Sequence, residues 1–280
     1  MKMKLAAECK VEHLGRRDQG RRMKSCLAMT AALAALSFAG PSSAASSDWH
    51  DAEGASLRLV TSSRPTADGR LRGALEIRLK PGWKTYWIDP GDAGVPPTMD
   101  LADGGTLELA FPAPKRFDDG YSVWAGYDRP IALALTLDPG RRGEIDARAF
   151  LGLCETICIP VQASFSVELA VSPRPQDEAI VADAFSALPG PARPGFEATL
   201  AKADADRLSV EIHLPEGAEI VDLFVAGEGA LALDTPERAG PAGFSVPILR
   251  GGDRLPPSLA YTLVTSAGAV SGALDLGPAQ

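Results

Sequence analysis

"LRGALEIRLK", Leu71 to Lys80, decides the fold. Leu71, Leu75, Ile77 and Leu79 alternate with Arg72, Glu76, Arg78 and Lys80. A period of two puts apolar side chains on one face of a strand and charges on the other. The same period returns in "TLELAF" (Leu107, Leu109, Phe111), "IALALTL" (Ile131, Leu133, Leu135, Leu137) and "SFSVEL" (Phe165, Val167, Leu169). Strands with one buried and one wet face belong to antiparallel sheets. Turn signals separate them at Ala67-Asp68-Gly69, Lys80-Pro81-Gly82, Asp89-Pro90-Gly91 and Asp138-Pro139-Gly140. Short strands at this spacing predict an all-β chain built on a β-sandwich.

The pattern breaks at "SPRPQDEAIVADAFSALPGPARPG", where Ile180, Val181, Ala184 and Leu188 stand at helical spacing between proline-rich flanks. Residues 173–195 are therefore expected to be a linker carrying one short helix, from Gln176 to about Leu188. Alternation resumes in "RLSVEIHL" through Leu208, Val210, Ile212 and Leu214. Further strand candidates are 220–225, 244–249, 261–264 and 267–276. They are shorter and richer in Ala and Gly. The expected organisation is a sandwich over residues 46–172 and a second, smaller β domain over 196–280.

Residues 1–45 read as a secretory signal. Lys24 precedes an apolar run from Cys26 to about Gly40, followed by small residues up to Ala45. A run of roughly 15 residues is too short for a stable membrane span. Cleavage is expected after Ala44 or Ala45, and the long basic stretch ahead of Met23 makes Met23 a candidate start. Removing residues 1–45 takes eight of 28 basic and three of 36 acidic residues, leaving 20 and 33 and a net charge near −13. Such an acidic chain has no electrostatic footprint for nucleic acid or an anionic membrane surface. No later apolar run approaches the ~20 residues of a membrane helix, so no stable membrane insertion is expected.

Cys9 and Cys26 leave with that segment, and the remaining cysteines are Cys154 and Cys158 in "FLGLCETICIP". In extended chain their Cα atoms would lie roughly 13 Å apart, whereas a disulfide needs them within about 7 Å. A bond between them therefore requires Glu155-Thr156-Ile157 to fold back as a tight turn, with Pro160 just beyond. So small a ring removes only about 2 kcal/mol of chain entropy, which makes a poor staple for a domain this size. A zinc site would need two further Cys or His ligands, and only His50 and His213 remain. Two thiolates with a methionine such as Met99 would still suit Cu(I). Redox centre, structural bond and metal clip all stay open on these residues alone. The two histidines speak against a hydrolase, since no Ser/His/acid constellation is visible.

Three motifs in order, "GWKTYWIDPGDAGVPPTMDL" (82–101), "GYDRPIALALTL" (126–137) and "FLGLCETICIPV" (150–161), resemble the N-terminal periplasmic domain of the DsbD family of thiol:disulfide interchange proteins, on its ScsB-like branch. The resemblance covers about residues 48–170. It implies an immunoglobulin-like fold and a periplasmic protein-disulfide reductase without cofactor or metal. Electrons would come from a membrane-embedded donor and pass to periplasmic thioredoxin-like proteins, among them a disulfide isomerase and a reductase of cytochrome c maturation. Cys154 and Cys158 would form the exchanging disulfide, Cys158 in the mixed disulfide and Cys154 resolving it. Tyr86 resembles an active-site aromatic of the family. A cap over the cysteines corresponds to residues 116–127, where Phe117, Tyr121 and Trp124 are the candidate shields. Trp83, Trp87 and Trp124 have core packing as their alternative use, and Asp118 and Asp119 read as turn residues. The family's transmembrane and C-terminal thioredoxin domains are not in this sequence, so a separately encoded membrane donor is expected. The alternative function is a non-catalytic periplasmic binding module, for copper, with the two cysteines as ligands.

Overall fold

A computed structural model describes residues 45–91, 94–118, 120, 122–169, 174–252 and 254–277. The signal expected over residues 1–45 (Ala45 apart), Asp119 and the shield candidate Tyr121 lie outside the described residues. From Ala45 onward, the described residues form one compact unit.

The first half forms β1 (His50–Asp51), β2 (Ala55–Thr61), β3 (Leu71–Leu79), β4 (Lys84–Tyr86), β5 (Thr98–Leu101), β6 (Leu107–Ala110), β7 (Lys115–Asp118), β8 (Val123–Tyr127), β9 (Ile131–Leu137), β10 (Glu144–Cys154) and β11 (Cys158–Glu168). One sheet runs β1-β2-β3-β9-β6. The facing sheet runs β11-β10-β4-β8-β7, with β5 also paired to β10. The alternation has its expected consequence: Leu75, Ile77, Leu133 and Leu135 from one sheet meet Leu151, Leu153 and Phe165 from the other in a continuous core. At about 25 cal/mol per Å² this apolar burial drives the fold. The chain is all-β in class, an immunoglobulin-like sandwich followed by a smaller β domain.

The helix α1 (Pro175–Ser186) begins with proline in its first turn, where a missing N–H costs nothing. It is no free spacer. Val181 and Ala184 pack onto Val60, Ala74 and Ala134, on the outer face of the first sheet. Alanines at these positions keep that face low enough for a helix to lie on it. The Glu178 carboxylate accepts bonds from the Ser62 hydroxyl (2.8 Å) and the Ser63 amide (2.8 Å), tying the helix to the end of β2.

The second half forms β12 (Gly190–Pro191), β13 (Glu197–Ala203), β14 (Arg207–His213), β15 (Ile220–Val225), β16 (Ala232–Leu233), β17 (Glu237–Arg238), β18 (Gly243–Arg250), β19 (Ser258–Thr265) and β20 (Gly268–Asp275). Its sheets run β12-β20-β19-β15 and β13-β14-β18-β16, with β17 on β18, around a separate core that includes Leu208, Val246 and Leu263. β15 serves both halves. Leu223 and Val225 enter the second core, while Phe224 and the following Ala226 enter the first. The unbroken apolar run "LFVA" is thus a strand buried on both faces. No helix among the described residues is long and apolar enough to cross a membrane.

Candidate functional site

β10 and β11 pair in register from Glu144 opposite Glu168 to Cys154 opposite Cys158, leaving Glu155, Thr156 and Ile157 as the connecting loop. The Glu155 amide donates across that loop to the Ile157 carbonyl (3.2 Å), so the next position outward is the hydrogen-bonded one. The cysteines consequently occupy a non-hydrogen-bonded pair, the kind that brings opposing Cα atoms to about 4.5 Å. Their Cα atoms are 4.1 Å apart and their sulfurs are bonded at 2.08 Å. The fold-back that a bond requires is therefore supplied by a hairpin eleven register pairs long. Pro160 is tolerated because β11 is an edge strand.

The disulfide lies on the outer face of its sheet. Along β10, Ile145, Ala147, Ala149, Leu151 and Leu153 fill the core, and Cys154 has the opposite parity. It is nonetheless only 6% exposed, because Tyr86 and Trp124 cover it and Phe117 packs against them. Cys158, across the hairpin, is exposed.

Strand register builds this cover. Lys84 stands opposite Cys154 and Thr85 opposite Leu153, so Lys84 and Tyr86 share the outer face. Thr85 points inward and its hydroxyl donates to the Gly152 carbonyl (2.9 Å). Tyr86 pairs with Gly126 on β8, and Trp124, two residues away on the same face, pairs with Phe117 on β7. The Tyr86 hydroxyl lies 2.8 Å from Cys154 Sγ and 3.2 Å from Cys158 Sγ. Disulfide sulfurs carry no hydrogen, so the hydroxyl donates. Tyr86 meets Trp124 edge to face with centroids 5.2 Å apart, and Phe117 stacks on Trp124 at 4.3 Å. The Lys84 ammonium stands 5.6 Å from the Trp124 centroid and 5.7 Å from that of Phe117.

Two glycines make room. A Cβ on Gly152 would fall 2.9 Å from Tyr86 Cε2, and one on Gly126 would fall 2.8 Å from Trp124 Cζ3. The glycine of "FLGLC" is thus the floor under the tyrosine ring.

Of the residues predicted from sequence, Cys154, Cys158, Tyr86, Phe117 and Trp124 come together here. Trp83 and Trp87 belong to the sandwich core, Trp83 against Gly54 and Trp87 edge to face with Phe224. Asp118 accepts the Gly120 amide (2.8 Å), a turn contact. Met99, opposite Ala149 on β5, is in the core, on the other side of the sheet from the sulfurs, and cannot join them as a ligand. His213 contacts Thr199 in the second half, and His50 is on β1. Among the described residues no group of three or more His, Cys, Asp or Glu side chains is placed to hold a metal.

Sequence reading missed Lys84, Gly152 and Ile157. Lys84 was legible in principle, two residues before Tyr86 and so on the same strand face. Ile157 is 70% exposed at the hairpin tip beside Cys158, an apolar side chain that the protein's own core does not use.

Fold and site define a class: an immunoglobulin-like sandwich presenting a hairpin disulfide under an aromatic cover. Residues 58–170 match the family described as thiol:disulfide interchange protein DsbD, N-terminal. This part of the chain is similar to a DsbD-family N-terminal domain. The crystal structure of the N-terminal periplasmic domain of ScsB from Proteus mirabilis superposes with a TM-score of 0.70 at 19% identity, covering 84% of this chain and 99% of that one. The reduced DsbD N-terminal domain of Neisseria meningitidis matches at 14% identity and a TM-score of 0.28, over 40% of this chain and 83% of that one. No curated protein matches the sequence. Family and disulfide together point to thiol–disulfide exchange as the chemistry.

Proposed function

We propose that the protein is a periplasmic electron relay in which Cys154 and Cys158 cycle between disulfide and dithiol. The observation that carries this reading is the asymmetry of the pair: Cys154 is buried under the aromatic cover with the Tyr86 hydroxyl 2.8 Å from its sulfur, whereas Cys158 is an exposed residue whose sulfur the same hydroxyl reaches at 3.2 Å. A donor thiolate attacks Cys158 Sγ. The Cys158–Cys154 bond breaks, and Cys154 leaves as a thiolate facing the Tyr86 hydroxyl with Lys84 alongside. A better-stabilised leaving thiolate departs faster. The donor's second thiol then displaces Cys158, and the module holds two electrons as a dithiol. In delivery, the Cys158 thiolate attacks an acceptor disulfide, and Cys154 attacks Cys158 Sγ to release the reduced acceptor. Donor and acceptor are read as a membrane-embedded reductase and periplasmic thioredoxin-like proteins. The hairpin is already held by strand pairing, so a bond closing three residues adds little stability, which supports an exchanging bond over a staple.

Export fits the same reading, with cleavage after Ala44. Ala45 is buried and its carbonyl accepts the Thr61 amide (2.7 Å), which supports a mature chain that retains this residue.

The test is a trap. A Cys154→Ser variant, offered a purified oxidised thioredoxin-like protein, should accumulate a mixed disulfide through Cys158 that dithiothreitol dissolves. Cys158→Ser should accumulate none. No adduct, together with a reduction potential below about −300 mV, refutes the relay.

A further inference from the structure

Arg116 ties the second sandwich to the strand that carries part of the disulfide's cover. Arg116 lies on β7 next to Phe117, and the two point to opposite faces: Phe117 is paired with Trp124 over the disulfide, Arg116 with the core residue Ala125. On that inner side, Arg116 Nε donates to Asp222 Oδ2 (2.9 Å), and one terminal nitrogen donates to Asp222 Oδ1 (3.0 Å) and the Leu223 carbonyl (2.8 Å). Its guanidinium also lies 4.6 Å from the centroid of Phe224. The whole reception site is on β15. A second tie runs nearby, where the Gly227 amide donates to Asp89 Oδ2 at 2.6 Å.

β7 is the edge strand of its sheet, held there through β8 over four register pairs. An edge hairpin that short opens more readily than the central strands. The contacts from Asp222 to Arg116, along the backbone to Phe117, across to Trp124 and Tyr86, and on to the sulfurs form one continuous path. A forked guanidinium–carboxylate pair fixes orientation as well as distance.

We propose that the second sandwich is a clamp on the cover. Arg116 and Asp222 are positioning residues that hold β7 down and so limit access of thiols to the disulfide. The inference rests on the exchange reading above and gives the second domain its role in it. Breaking the pair frees Phe117 and Trp124 to lift, and an incoming thiolate then reaches the sulfurs more often.

The experiment uses the mature protein and dithiothreitol as the probe, with reduction followed by Trp fluorescence well below the melting temperature. Asp222→Asn and Arg116→Gln should each speed reduction on the order of tenfold, as expected for loss of a charged hydrogen-bond pair. The swapped double variant Arg116→Asp/Asp222→Arg should return the rate toward wild type. Should either single variant fail to fold, Phe224→Leu removes the ring under the guanidinium while keeping apolar volume, and it carries the same expectation. Unchanged rates in folded variants overturn the clamp. So does a double variant as fast as the singles, which would mean general loosening. A responsive clamp with no trapped mixed disulfide at Cys158 would sink the relay and leave the clamp standing. A trapped adduct with unresponsive variants would do the reverse.

Discussion

Tyr86→Phe isolates the hydroxyl that touches both sulfurs. The ring stays, so its edge-to-face contact with Trp124 at 5.2 Å and its seat over Gly152 are kept. What is lost is a donor 2.8 Å from Cys154 Sγ. In the disulfide this is a neutral hydrogen bond, whose net worth is about 0.5–1.5 kcal/mol. Once Cys154 leaves as a thiolate the same bond is made to a charge and is worth about 1.5–3 kcal/mol. The difference, about 1 kcal/mol, is what the hydroxyl contributes selectively to bond breaking. For a two-electron couple, where 30 mV is about 1.4 kcal/mol, the phenylalanine variant should have a potential roughly 20 mV more negative. Reduction by dithiothreitol should slow about fivefold. Equilibration against a glutathione buffer reads the first and stopped-flow fluorescence the second. A potential that stays put or rises, with a wild-type rate, would falsify the assignment of Tyr86 as the donor to the leaving sulfur.

Other outcomes follow from the same geometry. Gly152→Val drives a side chain into Tyr86 and into Val95, whose Cβ would be 3.2 Å from even the first added carbon. It should cost roughly 1–3 kcal/mol in denaturant melts and speed thiol access by displacing the tyrosine; a variant with native stability and native rate contradicts the close fit. Lys84→Met keeps the alkyl stem over Trp124 and Phe117 but removes the charge beside Cys154. Attack by anionic glutathione should slow a few-fold and lose much of its salt dependence, while a neutral thiol is affected less; equal effects on both thiols would show that the charge plays no part. At the far end of the sandwich, the hydrogen-bonded Arg141 guanidinium, helped by the Gly105 amide, lowers the Asp103 carboxyl from 3.8 to about 2. A depressed carboxyl stabilises the fold above its ordinary range, and that contribution disappears as pH falls through about 2. NMR titration should find Asp103 at the low value, and Arg141→Gln should return it toward 3.8. An ordinary Asp103 titration in the wild type would refute the pairing.

Local periodicity carries far in this protein because each strand of the first sandwich has one wet face. Leu71, Leu75, Ile77 and Leu79 declare their side without reference to any partner, and the core follows. β13 escaped the reading because "EATLAKA" buries little besides Ala198 and so carries no apolar alternation. The helix was legible, but its docking was not. Its seat is the alanine face of the first sheet, which in sequence looks like polar-side filler.

By itself the sequence determined the all-β class, the turn positions, the acidic balance and the cysteine pair with its family motifs. These are properties of residues near one another along the chain, where period and turn chemistry act. Only the tertiary structure decided that Cys154 is buried and Cys158 exposed, that Lys84 and Gly152 belong to the site, and that Arg116 answers to Asp222. Each of these depends on which strands become neighbours. Register across β11, β10, β4, β8 and β7 is set by the packing of the whole core, so residues 70 positions apart in sequence become adjacent only when both sheets have closed.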